Sequence, residues 1–160
     1  MYEPIIGTLG YILSSDGQQV LLVHRNARKT DQHFGKYNGL GGKMRSNEDV
    51  QACMVREIKE EAGICCRKMS LRGTVSWPGF GSAGEHWLGF IFLITEFSGI
   101  PSQSNEEGDL GWHRLSEIDQ LPMWEGDRFF LPLVFDGDPR PFHGHMPYSK
   151  GKPVSWHYSR

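Results

Sequence analysis

Three glutamates close together in the chain, Glu57, Glu60 and Glu61, carry the first chemical signal. On a helix, positions i, i+3 and i+4 share a face, so the three carboxylates fall within about 100° of arc. Val55, Ile58 and Ala62 then fall largely on the other side and can be buried. Like charges this close repel, and the arrangement costs stability unless something positive sits among them. Hard divalent cations such as Mg²⁺ or Mn²⁺ take oxygen ligands and suit such a cluster. An acidic helix face is also often simply solvated, so the three residues alone do not decide between a metal site and a wet surface.

The sequence around them provides the elements needed to position such a face. Ser46 or Asn47 is expected to cap the helix, with Ser46 and Asp49 resembling a capping box. The helix should run to about Ala62 and stop at Gly63, where a C-terminal glycine belongs. Upstream, strands are expected over Ile5–Ser14 and Gln19–Arg25, joined by a hairpin at Asp16-Gly17. A polar loop, Asn26 to Lys36, leads into the glycine-rich run Tyr37 to Lys43. Downstream, strands are expected over Leu71–Trp77, His86–Phe97 (long, apolar and central) and Gly111–Leu115, with an acidic loop at Ser104–Asp109. Ser116 should cap a brief helical turn, and Asp127 should open a second helix to Phe135 that Pro132 makes irregular or shortens. The tail from Phe142 to Tyr158 reads as a hairpin around Ser149 to Lys152.

The order in which the chemical residues occur is more specific than the glutamates alone. From Gly42 the chain reads five residues, Glu48, seven residues, Arg56-Glu57-Ile58, one residue, Glu60-Glu61, one residue, Gly63-Ile64. This resembles the Nudix box at every specified position, a pattern far outside the range of weak motifs. The resemblance implies the Nudix fold, a mixed sheet between helices; with no internal repeat, low-complexity tract or linker, residues 1–160 read as a single α+β domain. The resemblance further implies hydrolysis of a nucleoside diphosphate linked to another moiety. Carried over by position, it makes Glu57, Glu60 and Glu61 metal ligands, with the Gly42 carbonyl a further one. Arg56 would orient the carboxylates, and Glu48 would support the loop, paired with a basic residue. Glu107, five residues before Trp112, is the expected acid from outside the box; Glu61 or Glu107 would take the proton of the attacking water. The implied cofactor is Mg²⁺, with Mn²⁺ as an alternative.

Two further stretches resemble the MutT-type branch that includes oxidised-purine nucleoside triphosphatases. They are Tyr37-Asn38-Gly39-Leu40-Gly41-Gly42-Lys43 and Met123-Trp124-Glu125-Gly126-Asp127. On this resemblance Asn38 and Asp127 bond a purine edge, Trp124 stacks on the base, and Phe34 adds an apolar wall. Arg25 and Lys43 are the candidates for phosphate contact. Asp127 has a second reading as a helix N-cap, and Trp124 as core. The branch carries two adjacent acids after the tryptophan, whereas this chain has Gly126 and only then Asp127. That departure weakens the expectation of strict 8-oxo-guanine selectivity.

Composition narrows the field. The chain has 160 residues, 38% hydrophobic and 22% charged, with a net charge of −2. Near-neutral charge lacks the footprint of a nucleic-acid coat or polybasic anchor, so no stable nucleic-acid or membrane partner is expected. Three cysteines in no C-x-x-C pair read as reduced thiols of a cytoplasmic protein. The leading expectation is diphosphatase action on a nucleoside triphosphate, 8-oxo-dGTP or a related purine, giving the monophosphate and pyrophosphate. The rivals are a Nudix enzyme for ADP-ribose, a dinucleoside polyphosphate or capped RNA, and a non-catalytic Nudix-fold binding module.

Overall fold

The computed structural model describes residues 1–160. Its framework is a mixed sheet with one helix on each face. Strand β1 (Ile5–Leu13) runs parallel to β6 (Trp87–Ser98), with Ile5 opposite Trp87 and Ile12 opposite Ile94. On the far side of β6 lies β5 (Cys65–Trp77), antiparallel to it, and beyond that come β8 (Phe142–His145) and β11 (His157–Ser159). The long apolar strand is therefore central, as its composition suggests.

The other edge of β1 is shared between two partners. Near its end β1 pairs with β2 (Gln19–His24), and over Gly7–Gly10 it pairs with β4 (Leu40–Lys43). β1 and β2 thus diverge, and the glycine-rich run is threaded between them, with β3 (Tyr37–Asn38) on β2 and β4 on β1. Close backbone approach explains the glycine at 41: a Cβ there would collide with the Thr8 carbonyl. β7 (Asp109–Arg114) closes the outer edge of β2.

Side chains that alternate along the strands divide into two cores, as the period of two requires. Tyr11, Val20, Leu22 and Ile91 face helix α2 (Asp127–Phe135), packing with Phe130, Leu131 and Val134. Ile12, Leu21, Phe92 and Ile94 face helix α1 (Val50–Ala62), packing with Met54, Ile58 and Ala62. No helix is long and apolar enough to cross a membrane, and the three cysteines are free thiols.

Several local expectations need correction. The cap of α1 is Asp49, whose carboxylate accepts from Ala52 N–H at 2.8 Å; Ser46 and Asn47 lie outside the helix. Val55 is exposed, and Met54 takes the buried place assigned to it. β5 begins six residues earlier than Leu71, because Cys65 to Ser70 pair with β6 through irregular register that no hydrophobic alternation announces. Ser116 caps nothing: the 3₁₀ turn Leu115–Gln120 begins after Arg114 with no side-chain cap. Asp127 is the first residue of α2, with Gly126 before it and no side-chain cap bond. Gly63 does end α1 in the left-handed conformation, φ 72°, and the tail hairpin turns at Lys150 and Gly151 between β9 (Tyr148–Ser149) and β10 (Lys152–Pro153).

Candidate active site

The carboxylates of α1 are organised by one arginine. Arg56 donates two bonds to Glu48, at 2.8 and 2.6 Å, in a fork geometry. It also donates to Glu57 at 2.6 Å, to Glu60 at 3.3 Å and to the Lys43 carbonyl at 3.2 Å. The helix, the glycine-rich strand and the intervening loop are thereby joined. Arg56 holds the Glu48 carboxyl down to about 2, and these carboxylates push the guanidinium pKa up. Glu48 also accepts from Arg45 N–H at 2.9 Å.

Glu57 and Glu61 lie one turn apart and face the glycine run, whereas Glu60 turns outward to Arg45 at 3.4 Å and is half exposed. At Gly42 a Cβ would meet the Glu57 carboxyl at 2.5–2.7 Å, so only glycine lets the backbone sit against that group. One carboxylate oxygen of Glu61, Oε2, is buried without any hydrogen-bond partner. Burial, reinforced by the negative charge of Glu107 and Glu57, pushes the Glu61 carboxyl up to about 9. Burial also raises Glu107, against the opposing pull of Arg25.

Glu107 reaches this region from the loop before β7, while Glu106 is exposed. Its carboxylate and its backbone are both held, the Glu107 carbonyl accepting from Ala27 N–H at 3.3 Å. Arg25 approaches Glu107 at 3.3 Å while bonding Asp31 at 2.8 Å. Asn105 accepts from Glu107 N–H at 2.8 Å and donates to the Glu61 carbonyl at 3.1 Å, linking this loop to the end of α1. Asn105 and Asp31 were invisible as site residues in the sequence; the Asn-Glu-Glu-Gly turn was the available signal for the first.

A divalent cation suits this arrangement. An orphaned buried carboxylate oxygen, mutually repelling acids and a bare backbone at Gly42 are what a hard cation would relieve. With Glu57 and Glu60 drawn onto Arg56, no three carboxylates converge on a common point as they stand.

Beside the acids opens a cavity of about 340 Å³. Arg25, Asn38, Gly42, Lys43, Glu107, Trp124 and Asp127 all line it, so residues from well separated parts of the sequence meet there, whereas Glu57, Glu60 and Glu61 are not in its lining. Phe34 does not: it is 42% exposed and outside the lining, and its neighbour His33 takes the inward place. The apolar wall comes instead from Trp77, Phe80 and Trp87. Trp124 is both core and lining. Its indole N–H donates to His33 Nδ1 at 2.7 Å, the Phe80 ring meets it edge-on at 4.9 Å, and the Lys36 ammonium lies 4.7 Å from its centre. The Lys43 ammonium lies 5.6 Å from the Trp87 ring.

Asp127 lies deep among protein atoms yet open to the cavity. Burial pushes its carboxyl up to about 7, with Arg128 and Lys36 pulling the other way. The structure also accounts for Gly126. A Cβ there would run into the Met146 sulfur and the Tyr148 hydroxyl, so a second acid beside Asp127 would require both side chains to move.

Comparison with known proteins bears on the helix and its glutamates. The NUDIX domain model matches residues 4–134. The chain belongs to the NUDIX family. A Nudix hydrolase of Bacillus subtilis, YvcI, is 32% identical over 142 residues, spanning 86% of this chain and 84% of its own. The oxidized purine nucleoside triphosphate hydrolase of Mus musculus is 29% identical over 137 residues, 86% of this chain and 83% of that one. Among solved structures, a MutT protein from Bacillus halodurans superposes with a TM-score of 0.83 at 28% identity, covering 96% of this chain and 97% of the other. The chain is thus a MutT-type Nudix hydrolase in fold and family, and Nudix hydrolases generally use divalent cations.

Proposed function

We propose that this hydrolase cleaves purine nucleoside triphosphates, 8-oxo-dGTP or a related nucleotide, to the monophosphate and pyrophosphate, with Mg²⁺ or Mn²⁺ as cofactor. The observation that carries the reading is the juxtaposition of two unlike regions in one cavity. At one end the cavity is lined by Glu107 and the bare Gly42 backbone, with the Glu57 carboxyl packed behind Gly42 and Glu61 buried beside them rather than in the wall; at the other are Asn38, Asp127 and the indole of Trp124. A cation carrying a polyphosphate suits the first, and a flat base with donors and acceptors on its edge suits the second.

Each residue then has a physical task. Glu57, Glu61, Glu107 and the Gly42 carbonyl would hold the cation, with Glu60 at the outer rim. The cation supplies neutralisation of phosphate charge and a lowered pKa for bound water. Arg56 fixes Glu57 and Glu60 and is itself fixed by Glu48. Lys43 supplies positive charge toward the phosphates. Arg25, the other candidate for that role, also orients Glu107 through its ion pair. Asn38, anchored on β3 opposite Val23, offers an amide to the base, and Asp127 can donate or accept near neutral pH.

The relative from Mus musculus, named for oxidised purine nucleoside triphosphates, supports the substrate class. With glycine in place of an acid at 126, 8-oxo-dGTP and unmodified purine triphosphates should be discriminated only modestly. Steady-state kinetics on a panel of normal and oxidised nucleoside triphosphates, ADP-ribose and dinucleoside polyphosphates test this. A purine triphosphate should give the highest kcat/KM. Cleavage of ADP-ribose or a dinucleotide with no triphosphate turnover would reject the substrate and leave the hydrolase.

A further inference from the structure

His33 was not among the residues singled out from sequence, yet it sits in the cavity wall beside Trp124 with its chemistry constrained. The constraint comes from its partner. An indole N–H can only donate, and Trp124 Nε1 lies 2.7 Å from His33 Nδ1. Nδ1 must therefore be the acceptor, and the single proton of the neutral ring sits on Nε2. A protonated ring would carry a hydrogen on both nitrogens and lose the Trp124 bond. The surroundings oppose that charge. Burial, Arg25 and Lys36 hold the imidazole down to about 4, and Asp31 is the one carboxylate facing it that pulls the other way.

The loop that carries His33 is tied down on several sides. Asp31 accepts from His33 N–H at 3.0 Å, Lys36 N–H donates to the His33 carbonyl at 2.9 Å, and Gln32 donates to the Phe80 carbonyl at 2.9 Å. The Phe80 ring lies 6.0 Å from the imidazole. With Nδ1 occupied by Trp124 and no protein group bonded to Nε2, the second nitrogen is the atom this residue offers to a ligand in the cavity.

We propose that His33 is a specificity-determining residue, donating a hydrogen bond from Nε2–H to an acceptor atom on the ring bound beside Trp124. The proposal rests on the cavity being the base site. The ligand class it selects is a purine carrying an acceptor on that edge, a carbonyl oxygen or an unprotonated ring nitrogen. A donor at the same place, such as an exocyclic amine, would face another donor and be disfavoured.

Binding of monophosphates separates this from the catalytic reading, because no cleavage is involved. Calorimetry would compare dGMP, its 7-deaza analogue and the 2-aminopurine deoxynucleotide on the wild type, His33→Phe and His33→Gln. His33→Phe should weaken dGMP binding about tenfold, the order of one hydrogen bond. It should leave unchanged the analogue that lacks the contacted acceptor. His33→Gln, whose amide can accept from Trp124 and still donate, should recover most of the affinity. Equal loss on all three ligands, or no loss on dGMP, would overturn the proposal. Long-range proton–nitrogen NMR gives a second readout: a hydrogen on Nε2 alone at pH 6 is expected, and one on Nδ1 overturns it. Wild-type protein that binds dGMP in this way yet cleaves no triphosphate would sink the proposed function and leave His33 as the donor.

Discussion

Replacing Gly42 by alanine perturbs the centre of the site with a single methyl group. The new Cβ would lie 2.5 Å from the Glu57 carboxyl carbon and Oε1, against an ordinary contact of 3.4 Å or more, so the carboxylate must retreat by about 0.9 Å. The Arg56–Glu57 bond, now 2.6 Å, would be stretched or broken. Misplacing a catalytic group by about 1 Å costs on the order of 10²-fold in rate. The stability cost should be small, about 1–2 kcal/mol, because the clash is with the end of a side chain rather than with backbone. Gly41→Ala is the contrasting neighbour: its Cβ meets the Thr8 backbone carbonyl, which cannot swing, and the β1–β4 pairing must give way. The assay is kcat and KM at saturating Mg²⁺ alongside thermal melts of both variants. The expected result is a near-native melt with about 100-fold lower kcat for Gly42→Ala, and a large drop in melting temperature for Gly41→Ala. A Gly42→Ala enzyme within threefold of wild-type kcat would refute the placement of Glu57 at the reacting centre.

Glu61→Gln should lower turnover by about 10²–10⁴-fold, whichever of the metal or proton-transfer roles it serves, with no loss of folding stability; a destabilised variant would show that the group is structural. Asp127 makes stability depend on pH. In the folded protein its carboxyl keeps its proton to about pH 7, whereas an unfolded aspartate loses it near 3.9, so the folded state binds more protons between those values. Its contribution is therefore full below about pH 4 and lost as pH rises to about 7, by at most about 4 kcal/mol. Denaturant unfolding of Asp127→Asn against wild type should show the variant gaining relative stability across that window, and parallel pH profiles would contradict the assignment. Gly126→Asp, which places a second acid beside Asp127, should destabilise the fold by about 1–3 kcal/mol through overpacking against Met146 and Tyr148; a melt equal to wild type would show that the slot is open.

Much of the geometry around α1 was readable because it is local. Glu48, Arg56, Glu57 and Glu61 sit on or beside one helix, where spacing dictates which side chains meet, and Gly63 marks its end in the expected conformation. The remainder depends on contacts between distant segments. Ser46, Asn47 and Asp49 are all good caps by type, and only the folded chain shows that it is Asp49 whose carboxylate reaches Ala52 N–H, directly after the Glu48 that Arg45 and Arg56 hold. The first half of β5 is polar and exposed, and only its pairing with β6 makes it a strand. Phe34 and His33 are adjacent in a loop without periodicity; the turn held by Asp31 decides which one points inward. Gly126 reads in sequence as a lost acid, while in space it is the slot that Tyr148 and Met146 fill.

Titration of purified protein with Mn²⁺, followed by its electron paramagnetic resonance signal and by hydrolysis of a purine triphosphate, tests the central claim directly. The account predicts that Mn²⁺ binds the wild type, that Glu57→Gln and Glu61→Gln weaken that binding, and that chelator abolishes turnover until Mg²⁺ or Mn²⁺ is restored. Undiminished phosphoanhydride cleavage in excess chelator, or Mn²⁺ binding untouched by both substitutions, would contradict it.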